Sequence, residues 1–185
     1  MHKILVLGGY GVFGSRISER LASISEIELV IAGRNSKKAE TLSKTFKNAE
    51  CKISTIEIDI HHLRKSDLEE LEIFALINAC GPYHEQDYSL AEICIELGVH
   101  YIDLSDNRSY VTGIKILQEK AEKANILVVS GASTVPALSS AVIDHFQYDF
   151  GCMDVLDYGV TPGNQTDRGI GTVAAILSYV GKPFK

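Results

Sequence analysis

Gly9, Gly11 and Gly14 stand in the order Gly-x-Gly-x-x-Gly, directly after the apolar run Lys3-Ile4-Leu5-Val6-Leu7 and directly before a helical pattern. Glycines so spaced can bring backbone N–H groups against an anion. Gly9 permits the tight turn, Gly11 lets the chain approach a pyrophosphate, and Gly14 lets helix and strand pack closely. The helix N-terminus then turns unpaired N–H groups and the positive end of its dipole toward the negative charge. Glycine turns are common in themselves, and an ordinary strand–helix turn is the competing reading. Strand, turn and helix in this order favour a dinucleotide site. Tyr10, Val12 and Phe13 lie within the same turn and are assigned to that site.

A second group of residues bears on which dinucleotide is bound. The run Ile27 to Ala32 ends in Gly33-Arg34-Asn35, where a site preferring NAD carries Asp or Glu for the ribose 2′-hydroxyl. A carboxylate would repel a 2′-phosphate, whereas Arg34 offers it charge-assisted, bidentate hydrogen bonds. NADP is therefore expected, with NAD less favoured. Asn35 and Lys37 are placed with Arg34, while Lys38 reads as part of a solvated helix face. Asp59 ends the alternating run from Lys52 to Ile58, where it either accepts from an adenine amino group or caps the next turn. Ile73 to Ala79 runs into Cys80-Gly81-Pro82-Tyr83, a strand-to-loop switch at the sheet edge where ligands bind in open α/β folds. Ala79, Cys80, Gly81, Pro82 and Tyr83 are assigned to the nicotinamide half of the cofactor.

No catalytic acid or base can be named. Cys80 has no base at a recognisable spacing and reads as a packing thiol. His61-His62 lacks further ligands at metal spacing, and Tyr88 stands where His84-Glu85 would need its second histidine, so no metal is expected. A Tyr-x-x-x-Lys pair is missing too, since Tyr179 and Lys182 are only three apart. Asp103, Ser105 and Ser133 fall at ends of runs on the same edge, where capping explains each.

The apolar pattern along the chain predicts six strands alternating with helices. A helix should follow the glycines, with Val12, Ile17, Leu21 and Ile24 on its apolar face. Another starts at Asn35 or Ser36, and Ser66-Asp67-Leu68-Glu69 reads as a capping box. Gln86 to Leu97 is helical and stops at Gly98. Val99 to Leu104 is a strand, a long helix reaches about Lys123, and Ile126 to Val129 is the sixth strand. A helix then begins near Pro136, which tolerates an early helical position. The class is α/β, a doubly wound parallel sheet (a Rossmann fold) ordered 3-2-1-4-5-6 over residues 1–150. Residues 151–185 are expected to open a second substrate or dimerisation domain, with a strand from Val155 to Val160 and a helix from about Asp167 to Tyr179. Val155, Leu156, Val173, Ile176 and Leu177 should pack on the first domain or on a second copy, giving at least partial dimer.

Bulk properties set limits. The 185 residues carry a net charge of −6, which argues against a nucleic-acid backbone as partner. Apolar residues make up 45%, but charged residues or glycine interrupt every run, so no membrane span is expected. Met1-His2-Lys3 runs directly into the first predicted strand, so no signal peptide is expected. Cys51, Cys80, Cys94 and Cys152 are isolated and read as the reduced thiols of a cytoplasmic protein.

Four segments together resemble the saccharopine dehydrogenase-like family, specifically its N-terminal NAD(P)-binding domain. They are Gly8 to Gly14 with Ala32-Gly33-Arg34-Asn35, then Asn78 to Tyr83, then Gly98 to Ser105, and finally Ser130 to Ser139. The resemblance implies oxidoreductase chemistry, with hydride transfer at a carbon–nitrogen bond of an amino-acid-like substrate held by an inserted or following domain. After Ser105 the chain departs from the family's Asp-Leu-Ser/Thr-Gly-Glu stretch, placing Asp106-Asn107 there. The resemblance leaves the substrate unknown. On this reading the chain alone binds cofactor without turnover, and a non-catalytic dinucleotide-responsive module is the alternative.

Overall fold

Strand β1 (His2–Leu7) is central, and its alternation divides the interior. Leu5 and Leu7 join Val30, Ala32, Leu76 and Tyr101 in the larger core on one face. Val6 joins Leu29 and Ile31 on the other. Successive strand residues point to opposite faces, and helices cover both. Each of the buried leucine, isoleucine and valine side chains among them contributes about 1.5–3 kcal/mol. The structure is a computed structural model that describes residues 1–159, 161, 165, 169–178 and 180–181.

The other strands are β2 (Ile27–Gly33), β3 (Lys52–Glu57), β4 (Ala75–Asn78), β5 (His100–Asp103) and β6 (Val128–Val129). All pair in parallel, in the order β3-β2-β1-β4-β5-β6 expected from the sequence. Helices α1 (Val12–Ala22) and α2 (Ser36–Ser43) accompany the smaller core. Helices α3 (Lys65–Glu69), α4 (Ser89–Leu97), α5 (Arg108–Gly113) and α6 (Gln118–Ala124) cover the larger one. Helix α4 stops at Gly98, whose φ of 72° is open to a residue without Cβ.

Several local expectations are corrected. The buried line of α1 is Gly14, Ser18 and Ala22, not Val12, Ile17, Leu21 and Ile24. Small residues at i, i+4 and i+8 let the helix lie close on the sheet, so Ile17 and Leu21 pack at the margin and Ile24 falls outside the helix, exposed. The capping contact of α3 lies earlier than Ser66, because Asp67 accepts the Arg64 N–H at 2.9 Å. The long helix breaks into α5, a 3-10 stretch Ile114–Leu117 and α6, with Asn107 as its N-cap.

Beyond β6 come a wide turn Thr134–Leu138, α7 (Ser139–Phe146) and α8 (Ile170–Ser178). Ser133 does not cap with its side chain; its hydroxyl donates to the Val135 carbonyl, while its own carbonyl accepts the Leu138 N–H. Residues 155–159 form no strand. Val155, Leu156, Val173 and Leu177 are exposed rather than packed on the sheet domain. Val160, Asp167, Tyr179 and Lys182 lie outside the described residues, as does the side chain of Ile176.

Candidate functional site

The carboxyl ends of β1, β2 and β4 meet around the glycine turn. Gly8, with φ of 70°, makes the turn that the spacing assigned to Gly9. A Cβ on Gly8 would stand 2.9 Å from the Cys80 sulfur, so this loop and the β4 loop touch without side-chain space between them. Gly14 shows the closest approach. A Cβ there would lie 2.1 Å from the Gly8 carbonyl oxygen, which only glycine permits. The Gly11 N–H donates to that same carbonyl at 2.8 Å, and Ser18 Oγ, inside α1, donates to the Gly9 carbonyl at 3.0 Å.

Gly11 differs from its neighbours. A Cβ built on it would meet only the Gly8 carbonyl and otherwise project into open space on the exposed side of the turn. That is the geometry a pyrophosphate needs, a turn closed from behind and bare in front. Val12 is half-buried beside it, and Phe13 is exposed at the lip.

Tyr10 ties this turn to β2. Its ring lies against Gly33, and its hydroxyl accepts the Asn35 N–H at 2.9 Å. Asn35 in turn caps α2, its side-chain oxygen accepting the Lys38 N–H at 3.0 Å. Arg34, between Gly33 and Asn35, is exposed and forms no ion pair among the described residues. Lys37 and Lys38 are exposed beside it, and both line an open groove of about 510 Å³ together with Tyr10 and Asn35.

Asp59 acts within its own turn. One carboxylate oxygen accepts the His61 N–H at 3.1 Å and the other lies 3.2 Å from His62 Nδ1. These contacts, the backbone bond foremost, hold its carboxyl below the usual carboxylate range. These are the contacts of a turn cap.

The β4 loop rests on a buried polar lattice that sequence reasoning missed. Asn78, fully buried, accepts the Cys80 N–H at 3.0 Å and donates to Gln86 and to the Tyr101 hydroxyl. Gln86 donates to the Cys80 carbonyl, gripping the loop from its far side. Tyr83 turns inward, donating to the Asn78 carbonyl at 2.8 Å and accepting the Leu104 N–H. Its burial raises its pKa. Ala79, Cys80 and Pro82 remain half-buried along the edge, and Gly81 is exposed. Burial pushes the Cys80 thiol up to about 11, against a lowering influence from Arg34. It is a packing thiol, as its surroundings in sequence suggest.

Asp103, at the end of β5, fastens the next two loops. Its Oδ1 accepts the Ser105 N–H, the Ser130 hydroxyl and the Gly131 N–H, while Oδ2 is buried without a partner. An acidic residue followed by serine at a strand end is the signal for such a latch, but capping explained it equally well. The start of α8 completes the surroundings. A Cβ on Gly171 would lie 3.1 Å from the Gly81 carbonyl carbon, and one on Gly169 would lie 3.6 Å from Val12.

With this geometry in view, the sequence profile described as the Saccharopine dehydrogenase NADP binding domain matches residues 4–129. The chain belongs to that family. Its matched region includes the glycine turn, Arg34, the β4 loop and Asp103, so the dinucleotide in question is a nicotinamide one. No curated protein matches the chain in sequence. Among solved structures, the saccharopine dehydrogenase (L-Glu forming) of Saccharomyces cerevisiae is 19% identical with a TM-score of 0.61, covering 80% of this chain and 32% of that one. The chain thus spans about a third of the yeast enzyme's length. A short-chain dehydrogenase of Oenococcus oeni is 15% identical with a TM-score of 0.52, over 70% of this chain and 74% of that one. At these identities both likenesses show the fold alone. Among the described residues no helix is long and apolar enough to cross a membrane.

Proposed function

We propose that the chain is the cofactor-binding part of a cytoplasmic oxidoreductase and takes NADP(H) in preference to NAD(H). The observation that carries this reading is Arg34, exposed and without an ion pair among the described residues, at the strand end where an NAD site needs a carboxylate. Gly9 to Gly14 hold the pyrophosphate, Arg34, Asn35 and Lys37 meet the 2′-phosphate, and Ala79 to Pro82 lie along the nicotinamide. The cofactor supplies hydride chemistry, directed here at a carbon–nitrogen bond of an amino-acid-like substrate. The chain's own residues bind, orient and keep water out.

In this reading residues 1–150 are the dinucleotide domain, and residues 151–185 begin the wall that faces the substrate. Exposed apolar side chains there, Val155 and Leu177 among them, favour self-association, which sedimentation equilibrium reads as a rising mass with concentration.

One observation supports the non-catalytic alternative for the chain by itself. At the described edge, burial raises the pKa values of Cys80 and Tyr83 and holds both in the neutral, protonated form, leaving neither poised for proton transfer near pH 7. We therefore expect binding without turnover, with NADPH oxidation by keto acid plus amino acid staying at background.

Titration of NADPH and NADH against wild type and Arg34→Ala tests the central assignment. A charge-assisted hydrogen bond contributes about 1.5–3 kcal/mol, so NADPH should weaken about tenfold or more and NADH hardly at all. Equal losses for both cofactors would remove Arg34 from the 2′-phosphate.

A further inference from the structure

Two side-chain amides close the β4 loop from behind by meeting both backbone groups of one residue. The Cys80 N–H donates to Asn78 Oδ1 at 3.0 Å. Asn78 Nδ2 donates to Gln86 Oε1 at 3.0 Å, and Gln86 Nε2 returns to the Cys80 carbonyl. The circuit runs in one direction, from the N–H of Cys80 to its C=O. Two primary amides supply a donor and an acceptor in that order, whereas a carboxylate at either position would set two acceptors face to face.

The circuit is anchored outside the loop. The other Asn78 N–H goes to the Tyr101 hydroxyl of β5 at 3.2 Å, and the Asn78 carbonyl accepts the Tyr83 hydroxyl. On the opposite side the Cys80 sulfur lies against Gly8, where a Cβ would stand 2.9 Å from it. Cys80 is therefore fixed between the polar lattice and the glycine turn. Next along the edge comes the exposed Gly81, whose N–H and carbonyl carry no hydrogen bond to a described residue.

Stability alone does not call for the grip of Gln86. The side chain belongs to a half-buried residue, so water can take the place of its bonds, and holding a long side chain costs rotamer freedom. What the grip does supply is order in a loop that contains a glycine. Order set before binding lowers the cost of binding.

We propose that Gln86 is a positioning residue for the nicotinamide half of the cofactor. It acts through the Asn78 amide and the Cys80 backbone, and it holds the Gly81 peptide in place for the carboxamide of that ring. This rests on the reading of a nicotinamide dinucleotide along the sheet edge and goes beyond it by naming the side chain that sets the loop.

The test sets NADPH beside 2′,5′-ADP, which carries only the adenine half, against wild type, Gln86→Met and Gln86→Glu. The first substitution keeps the length of the side chain and removes both amide bonds. The second keeps an acceptor for Asn78 and places a carboxylate oxygen against the Cys80 carbonyl. Far-UV circular dichroism checks that the fold is intact. NADPH should weaken about fivefold in Gln86→Met, the worth of a neutral hydrogen bond, and further in Gln86→Glu. The fluorescence of bound NADPH should move toward that of the free cofactor, while 2′,5′-ADP binds both variants as it binds wild type.

A pH series adds a readout that a merely structural role would not move. Protonating the introduced carboxyl restores a donor to the Cys80 carbonyl, so Gln86→Glu should regain NADPH affinity relative to wild type as pH falls. Gln86→Met should not. His84, Glu85 and Asp87 stand beside this position in all three proteins, so the ratio to wild type isolates the introduced group. Wild-type affinity for NADPH in both variants would overturn the positioning role and leave the cofactor reading in place, as would equal losses for NADPH and 2′,5′-ADP. A loss in Gln86→Glu that stays constant with pH would remove the hydrogen-bond circuit as its cause. Failure of wild type to bind either probe would overturn the positioning role and the cofactor reading together.

Discussion

The Tyr10 hydroxyl accepts the Asn35 backbone N–H at 2.9 Å, joining the glycine turn to the first turn of α2. Two loops far apart in sequence are thereby held as one surface. The ring also lies so close to Gly33 that a Cβ there would stand 2.6 Å from it.

Tyr10→Phe keeps the ring and removes the acceptor. The Asn35 N–H is exposed enough to find water, so the expected loss of stability is about 0.5–1.5 kcal/mol. Urea unfolding measures it. NADPH affinity should fall with it, because Arg34 follows the backbone of Asn35. An unchanged NADPH affinity would show that the loop holds its place without this bond.

Gly11 and Gly14 should separate binding from folding. Gly11→Val fills the open front of the turn, and NADPH binding should vanish while far-UV circular dichroism and melting temperature stay near wild type. Gly14→Val drives a side chain into the Gly8 carbonyl, and such overpacking costs about 1–3 kcal/mol or more. A lower melting temperature for Gly11→Val than for Gly14→Val would contradict this division.

Asp103 should leave a mark on the pH dependence of stability. Burial raises its pKa above the ordinary 3.8, against the hydrogen bonds from Ser105, Gly131 and Ser130. The folded protein then binds more proton at this site than the unfolded chain. The site's contribution to stability therefore falls as pH rises from about 3.8 through the raised value, and is constant above it. Asp67 and Asp87, whose pKa values are lowered, slope the opposite way, so the comparison is between two curves. Asp103→Asn keeps the Oδ1 acceptor and removes the titration. The wild-type curve should descend relative to the variant's over this acidic range, and parallel curves would show that Asp103 does not titrate as argued.

The four thiols should react in an order set by access and ionisation. Cys152 is exposed, whereas burial pushes Cys80 to about 11 and Cys94 to about 12. Iodoacetamide at mild alkaline pH should label Cys152 first and Cys94 last, as peptide mass mapping resolves. Fast labelling of Cys80 would reopen the case for a nucleophile.

What could be read without coordinates was whatever has a short period or a steric necessity. The apolar run from Lys3 to Leu7 located the first strand, and the glycine spacing located the turn and its helix. The buried line of α1 escaped because the search for an apolar stripe favours Ile17 and Leu21. Contact at that distance needs Gly14, Ser18 and Ala22, which such a search ranks low. The α3 cap was misplaced because Asp67 can serve Arg64 from inside the helix, so Ser66 is not needed. The lattice under the β4 loop was invisible for another reason. Asn78, Tyr101 and Gln86 become partners only when β4, β5 and the loop after Cys80 are brought together, and their separations in sequence follow no pattern.

The approach of Gly171 to Gly81, and of Gly169 to Val12, gives the edge a history as well as a shape. The turn and the β4 loop are made early in synthesis, and the segment that packs on them is made near the end of the described chain. A growing chain therefore presents a half-built cleft, open above, long before α8 emerges from the ribosome. The last part of that edge is thus supplied by the residues made last, against a turn and a loop that their own hydrogen bonds already hold in place.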